Sequence, residues 1–148
     1  MVKLPPPVWT FFYLIAASIA SVLYPWKAIV DLWFWPLGAV LIVLGVASAV
    51  WAVGIFRREG TEINPTSAAN KTLVVRGPFR FTRNPMYLGL VLASLGIALC
   101  VGSLPMFAVP VLVFATANWI HIPFEEAKMR RQFGASYDDY VHLVRRWI

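Results

Sequence analysis

From Asn84 to Ile120 the chain carries no charged residue. One bilayer crossing takes about 20 apolar residues, with a working range of about 17 to 25. The stretch is too long for one crossing. Turn-forming residues "VGSLP" (Val101 to Pro105) lie near its middle, so it predicts two short spans joined by a tight turn. Composition agrees with a membrane environment. Of the 148 residues, 59% are hydrophobic and 14% charged, where soluble domains carry roughly a quarter charged.

Two further spans precede that run. One covers about 8–24 and closes at Pro25; the other covers about 32–56, with Pro36 placed to kink its start. The hairpin spans cover about 85–101 and 104–120. The first apolar segment follows Lys3 and ends in small residues, but more apolar segments follow, so it reads as a span rather than a cleaved leader. The expected fold is an all-α integral membrane protein of one domain, residues 1–148. It has four transmembrane helices, a pocket loop at 62–84 and a tail at 121–148. The tail predicts two short amphipathic helices broken at Phe133-Gly134. Their apolar side chains (Phe124, Met129, Phe133, Tyr137, Tyr140, Val144 and Trp147) are expected to face the membrane surface.

The basic residues orient this layout. Lys3, Arg57, Arg58, Lys71, Arg76, Arg80, Arg83, Lys128, Arg130, Arg131, Arg145 and Arg146 fall on one side, and only Lys27 on the other. Both termini and any active site are therefore expected to be cytoplasmic. The net charge of +6 is explained by anionic lipid and by this asymmetry, not by nucleic acid. The single Cys100 excludes an intramolecular disulfide. Two histidines with no His-x-x-x-His or Cys-x-x-Cys spacing give no metal site.

"RGPFRFTRNPMYLG" (76–89) concentrates unusual chemistry just before the third span. Asn84-Pro85 suits a helix start, with Asn as N-cap and Pro in the first turn. The apolar "KTLVV" (71–75) inside a charged loop should pack or line a pocket. Past the fourth span, Glu125 and Glu126 complement the first turn of a helix after Pro123. Glu126 can pair with Arg130 at i,i+4. A carboxylate in that position can equally receive an ammonium group. His121, where the span leaves the bilayer, is either an interfacial side chain or an acid–base group.

"KTLVVRGPFRFTRNPMYLG", followed after the hairpin by "EEAKMRRQFGASYDDYVHLVRRWI", resembles the isoprenylcysteine carboxyl methyltransferase and phospholipid methyltransferase superfamily. The likeness covers roughly residues 62 to 148. It implies S-adenosylmethionine as cofactor, contacted by Asn64, Lys71, Thr72, Leu73, Val74, Phe79, Asn84, Pro85, Met86, Tyr87 and Glu125. It also sets His121 where eukaryotic carboxyl methyltransferases carry a substrate-contacting arginine. Lys71 and Phe79 stand where a histidine and a tyrosine are usual in those enzymes.

The chemistry so implied is methyl transfer to a lipophilic acceptor entering from the bilayer. The acceptor is a carboxylate of isoprenylcysteine type or, alternatively, a phospholipid amine. Either His121 or Glu126 would take the proton that an amine must lose. A sterol-reductase-like oxidoreductase would need a nicotinamide site, for which the sequence has no clear motif. A membrane scaffold or transporter would place polar residues within the spans.

Overall fold

A computed structural model describes residues 4–24, 33–59 and 72–148. Proline begins its principal helices, because a fixed φ and a missing N–H suit the first turn. Pro6 opens α1 (Pro6–Leu23), and Pro85 opens α3 (Pro85–Val101). Pro36 is second in α2 (Trp35–Arg58), so it starts that helix and introduces no kink within it. A left-handed Gly102 ends α3, and a 3-10 turn (Leu104–Phe107) leads into α4 (Ala108–Thr116). Among the described residues there is no strand.

The fourth expected span does not stop at Ile120. A π-helical turn, Ala117–His121, carries α4 directly into α5 (Ile122–Phe133). Pro123 follows that turn directly and, having no N–H to return to the preceding turn, interrupts the hydrogen-bond ladder where α4 passes into α5. As expected, the helix breaks at Gly134 and α6 (Ala135–Leu143) follows. Pro6–Leu23, Trp35–Arg58 and Leu104–Phe133 are each long and apolar enough to cross a membrane, while α3 is a shorter apolar helix of 17 residues. This is an integral membrane protein.

Glycine sets how closely α2 and α3 approach. Gly38 meets Gly96 and Gly45 meets Gly89, so the two helices run antiparallel with a seven-residue repeat on both. A Cβ on Gly45 would lie 2.5 Å from the Gly89 carbonyl oxygen, and one on Gly96 2.5 Å from that of Gly38. Lipid gives helices no hydrophobic reason to associate, so close backbone packing of this kind takes its place. Ala52, one repeat further along α2, is completely buried. Ser48 adds a hydrogen bond from its hydroxyl to the Pro85 carbonyl, 3.0 Å. The first turn of α3 is thereby fixed against the last turns of α2.

On the other face, α1, α3 and α4 share a core of Ala17, Ala98, Met106, Val109 and Val113. Two hydroxyl pairs tie α1 in place: Tyr13 to Thr116 at 2.7 Å and Ser21 to Ser103 at 2.9 Å. Large side chains such as Phe11, Phe12, Val43 and Trp51 remain exposed on α1 and α2, as lipid-facing positions require.

Candidate active site

The site is assembled around the start of α3. Before it, Gly77 (φ 63°) begins a 3-10 turn, Gly77–Arg80. A Cβ there would press on the end of the Ile55 side chain, and the left-handed φ favours glycine at this start of the turn. Phe79 packs at a tilt against Phe56, ring centroids 4.9 Å apart, and its carbonyl accepts a hydrogen bond from the Tyr140 hydroxyl at 2.7 Å. Val74 and Phe79 are buried with Ala52, and Ile55, Phe56 and Met86 pack around them. The "TLVV" segment is thus only partly a cradle: Leu73 is half-buried, while Thr72 and Val75 are exposed. Asn64 and Lys71 lie outside the described residues.

The residue after Met86 faces a different partner. The Tyr87 hydroxyl donates to Glu125 Oε1 at 2.7 Å, and its ring stacks against His121 with centroids 6.1 Å apart. His121 is buried, and neither ring nitrogen has a hydrogen-bond partner among the described residues. One stretch of α3 therefore joins an apolar cluster, through Met86, to a carboxylate and an imidazole, through Tyr87. Pro85 is buried beside them.

Three sequence expectations need correction here. Glu126 is not an exposed partner of Arg130, which bonds Asp138 at 3.2 Å instead. Glu126 is buried and held at both oxygens by Arg146, Nε to Oε1 at 3.1 Å and Nη2 to Oε2 at 2.6 Å. Arg83 adds a third contact to Oε1 at 3.3 Å. Neighbouring helix residues point about 100° apart, so one glutamate of the doublet turns to Tyr87 and the other to the arginines. Both oxygens of this carboxylate are thus already engaged by guanidinium groups.

Asn84 occupies the N-cap position of α3 but does not cap it. Its side-chain amide donates to the Arg146 carbonyl at 2.9 Å, which the Thr82 hydroxyl also reaches at 3.1 Å. The Arg83 N–H donates to the Arg145 carbonyl at 3.0 Å. The chain end runs beside residues 82–84, since these paired backbone and side-chain groups satisfy one another away from water.

The tail residues also turn inward. Tyr137 and Tyr140 are buried in the protein rather than laid on the membrane. Burial pushes both phenols up, with Arg83 opposing in part, so they stay neutral. Trp147 packs at a tilt against Phe114, ring centroids 4.8 Å apart, and donates its indole N–H to Asn118 Oδ1 at 3.1 Å. Sequence reasoning missed Arg83, Asn118 and Arg146 as site-building residues. The available signal was the Arg145-Arg146-Trp147 ending, an unusual cluster for a free tail.

Among known proteins, the family model described as phospholipid methyltransferase matches residues 33–136. No curated protein and no solved structure matches the chain. The matched segment contains α2 to α5 and, with them, Phe79, Tyr87, His121, Glu125 and Glu126. With more than half of its length matched, this chain belongs to the phospholipid methyltransferase family.

Proposed function

We propose that the protein is an S-adenosylmethionine-dependent methyltransferase acting at the cytoplasmic membrane surface on a lipophilic acceptor that enters from the bilayer. The observation that carries this reading is the pair of neighbours Met86 and Tyr87. Met86 packs with the Phe79 cluster, and Tyr87 holds Glu125. That donor set fits the cofactor. The half-buried Glu125 carboxylate suits an ammonium group, and the half-buried Phe56 and Met86, packed on Val74 and Phe79, offer apolar surface to a flat base.

When bound, S-adenosylmethionine supplies an electrophilic methyl carbon on a sulfonium. The chain supplies alignment and exclusion of water. Glu125 orients the amino-acid end, with Tyr87 fixing the carboxylate. His121, buried with neither ring nitrogen hydrogen-bonded among the described residues, is the group available to the acceptor. Glu126 has a positioning role: through Arg83 and Arg146 it holds α5 against the 82–84 turn.

A carboxylate acceptor is the leading reading, supported by the likeness of the paired motifs to carboxyl methyltransferases. The description of the matching family favours a phospholipid amine as the second. Four crossings, with α3 as the shortest, and cytoplasmic termini complete the proposal on the strength of the basic-residue asymmetry. Binding of labelled S-adenosylmethionine and of labelled NADPH to the purified protein tests the class. Saturable binding of the first alone is expected; binding of NADPH alone would point to a reductase.

A further inference from the structure

The first helix lies outside the matched segment 33–136, yet it walls a cavity against His121. Trp9, Thr10 and Tyr13 of α1 face Tyr87, Thr116 and His121 across about 10 Å³ of free space, room for about one water. Hydrogen bonding around this space is uneven. Thr10 donates to the Pro6 carbonyl at 3.2 Å, Tyr13 pairs with Thr116, and Tyr87 donates to Glu125. The Trp9 indole nitrogen and both His121 ring nitrogens are buried without a partner among the described residues. Buried polar groups are rarely left so, and two residues lining one cavity are both left unsatisfied.

We infer that this cavity receives a carboxylate oxygen of the methyl acceptor, bound jointly by the Trp9 N–H and the His121 imidazole. The inference rests on the methyltransferase reading and assigns α1 a part in acceptor recognition. Hydrogen-bonding capacity selects the ligand. An indole N–H can only donate, so its partner must bring a lone pair. An ammonium has none, and a neutral amine has only the pair needed for attack.

A carboxylate meets this condition, with one oxygen held and the other presented for attack. That oxygen's lone pair forms the new O–CH3 bond. The electron pair of the breaking S–CH3 bond stays on sulfur, the sulfonium becomes a neutral thioether, and no proton is released.

The test uses the whole protein in phosphatidylcholine nanodiscs, without cofactor, titrated with [1-13C]dodecanoate and read from the carboxyl resonance. Dodecylamine and dodecyl phosphate of the same chain length are compared by competition. A saturable bound carboxylate is expected. Trp9→Phe, which keeps the ring and loses the donor, should weaken dodecanoate about tenfold, as for loss of one hydrogen bond to a charged group. His121→Phe, which keeps a ring and loses both nitrogens, provides a second, independent variant with a similar loss. Trp9→Phe should leave the unfolding midpoint and the calorimetric affinity for S-adenosylmethionine unchanged. Dodecanoate binding to Trp9→Phe as to the parent would overturn the inference, as would Trp9 dependence confined to the phosphate or the amine. Trp9-dependent dodecanoate binding in a protein that binds no S-adenosylmethionine would support this site while removing the methyltransferase reading.

Discussion

Glu126 and Arg146, twenty residues apart in sequence, form a two-point ion pair in which both carboxylate oxygens are used. Bidentate pairing is among the stronger charge-assisted contacts. Its position matters more than its strength, because the Arg146 carbonyl simultaneously receives Asn84 and Thr82. One residue of the chain end therefore joins α5 to the turn that starts α3.

Glu126→Gln should for this reason be a stability variant. It leaves Arg83, whose side chain is 10% exposed, without its countercharge, and breaking a buried pair from one side costs roughly 3 kcal/mol or more. Denaturant unfolding in detergent measures it. A loss of only a few tenths, the size for an exposed helix pair, would contradict the clasp.

The glycine seam gives a paired test on one helix. Gly45→Ala places a methyl group against the Gly89 carbonyl, and overpacking of that kind costs about 1–3 kcal/mol. Gly54→Ala meets nothing within 4 Å and removes a helix-weakening glycine, so it should be neutral or stabilise by about 0.5–1 kcal/mol. Thermal unfolding of the two variants should differ in sign; equal destabilisation would mean that the α2–α3 approach is looser than described.

Topology is checked by cysteine accessibility on a Cys100→Ala background. Single cysteines at 135–139 and 66–70 should label from the cytoplasmic side and one at position 27 from the other. Labelling of 27 and 68 from the same side would remove the four-crossing arrangement.

Much of this architecture was legible in the sequence because its signals are local. Length and apolarity located α1, α2 and α3, Asn84-Pro85 located the start of α3, and Phe133-Gly134 located the break before α6. The two motifs on either side of the apolar run pointed to the family that the comparison identifies. What the sequence did not disclose is long-range. Spacing gave Glu126 a sufficient neighbour in Arg130 four residues on, and nothing local reveals that Arg146 competes for it. The inward turn of Tyr137, Tyr140 and Trp147 has the same origin. An amphipathic face fits a membrane surface or a protein groove equally well, and only the returning chain end decides. The π turn at Ala117–His121, which makes α4 and α5 continuous, carries no residue signature of its own.

The central claim is that Glu125, held by Tyr87, receives the cofactor's ammonium. Isothermal titration of S-adenosylmethionine into the parent and into Glu125→Gln tests it most directly. Loss of a charge-assisted hydrogen bond of about 1.5–3 kcal/mol predicts binding roughly ten- to a hundredfold weaker in the variant. A folded Glu125→Gln that binds S-adenosylmethionine as tightly as the parent would contradict the account.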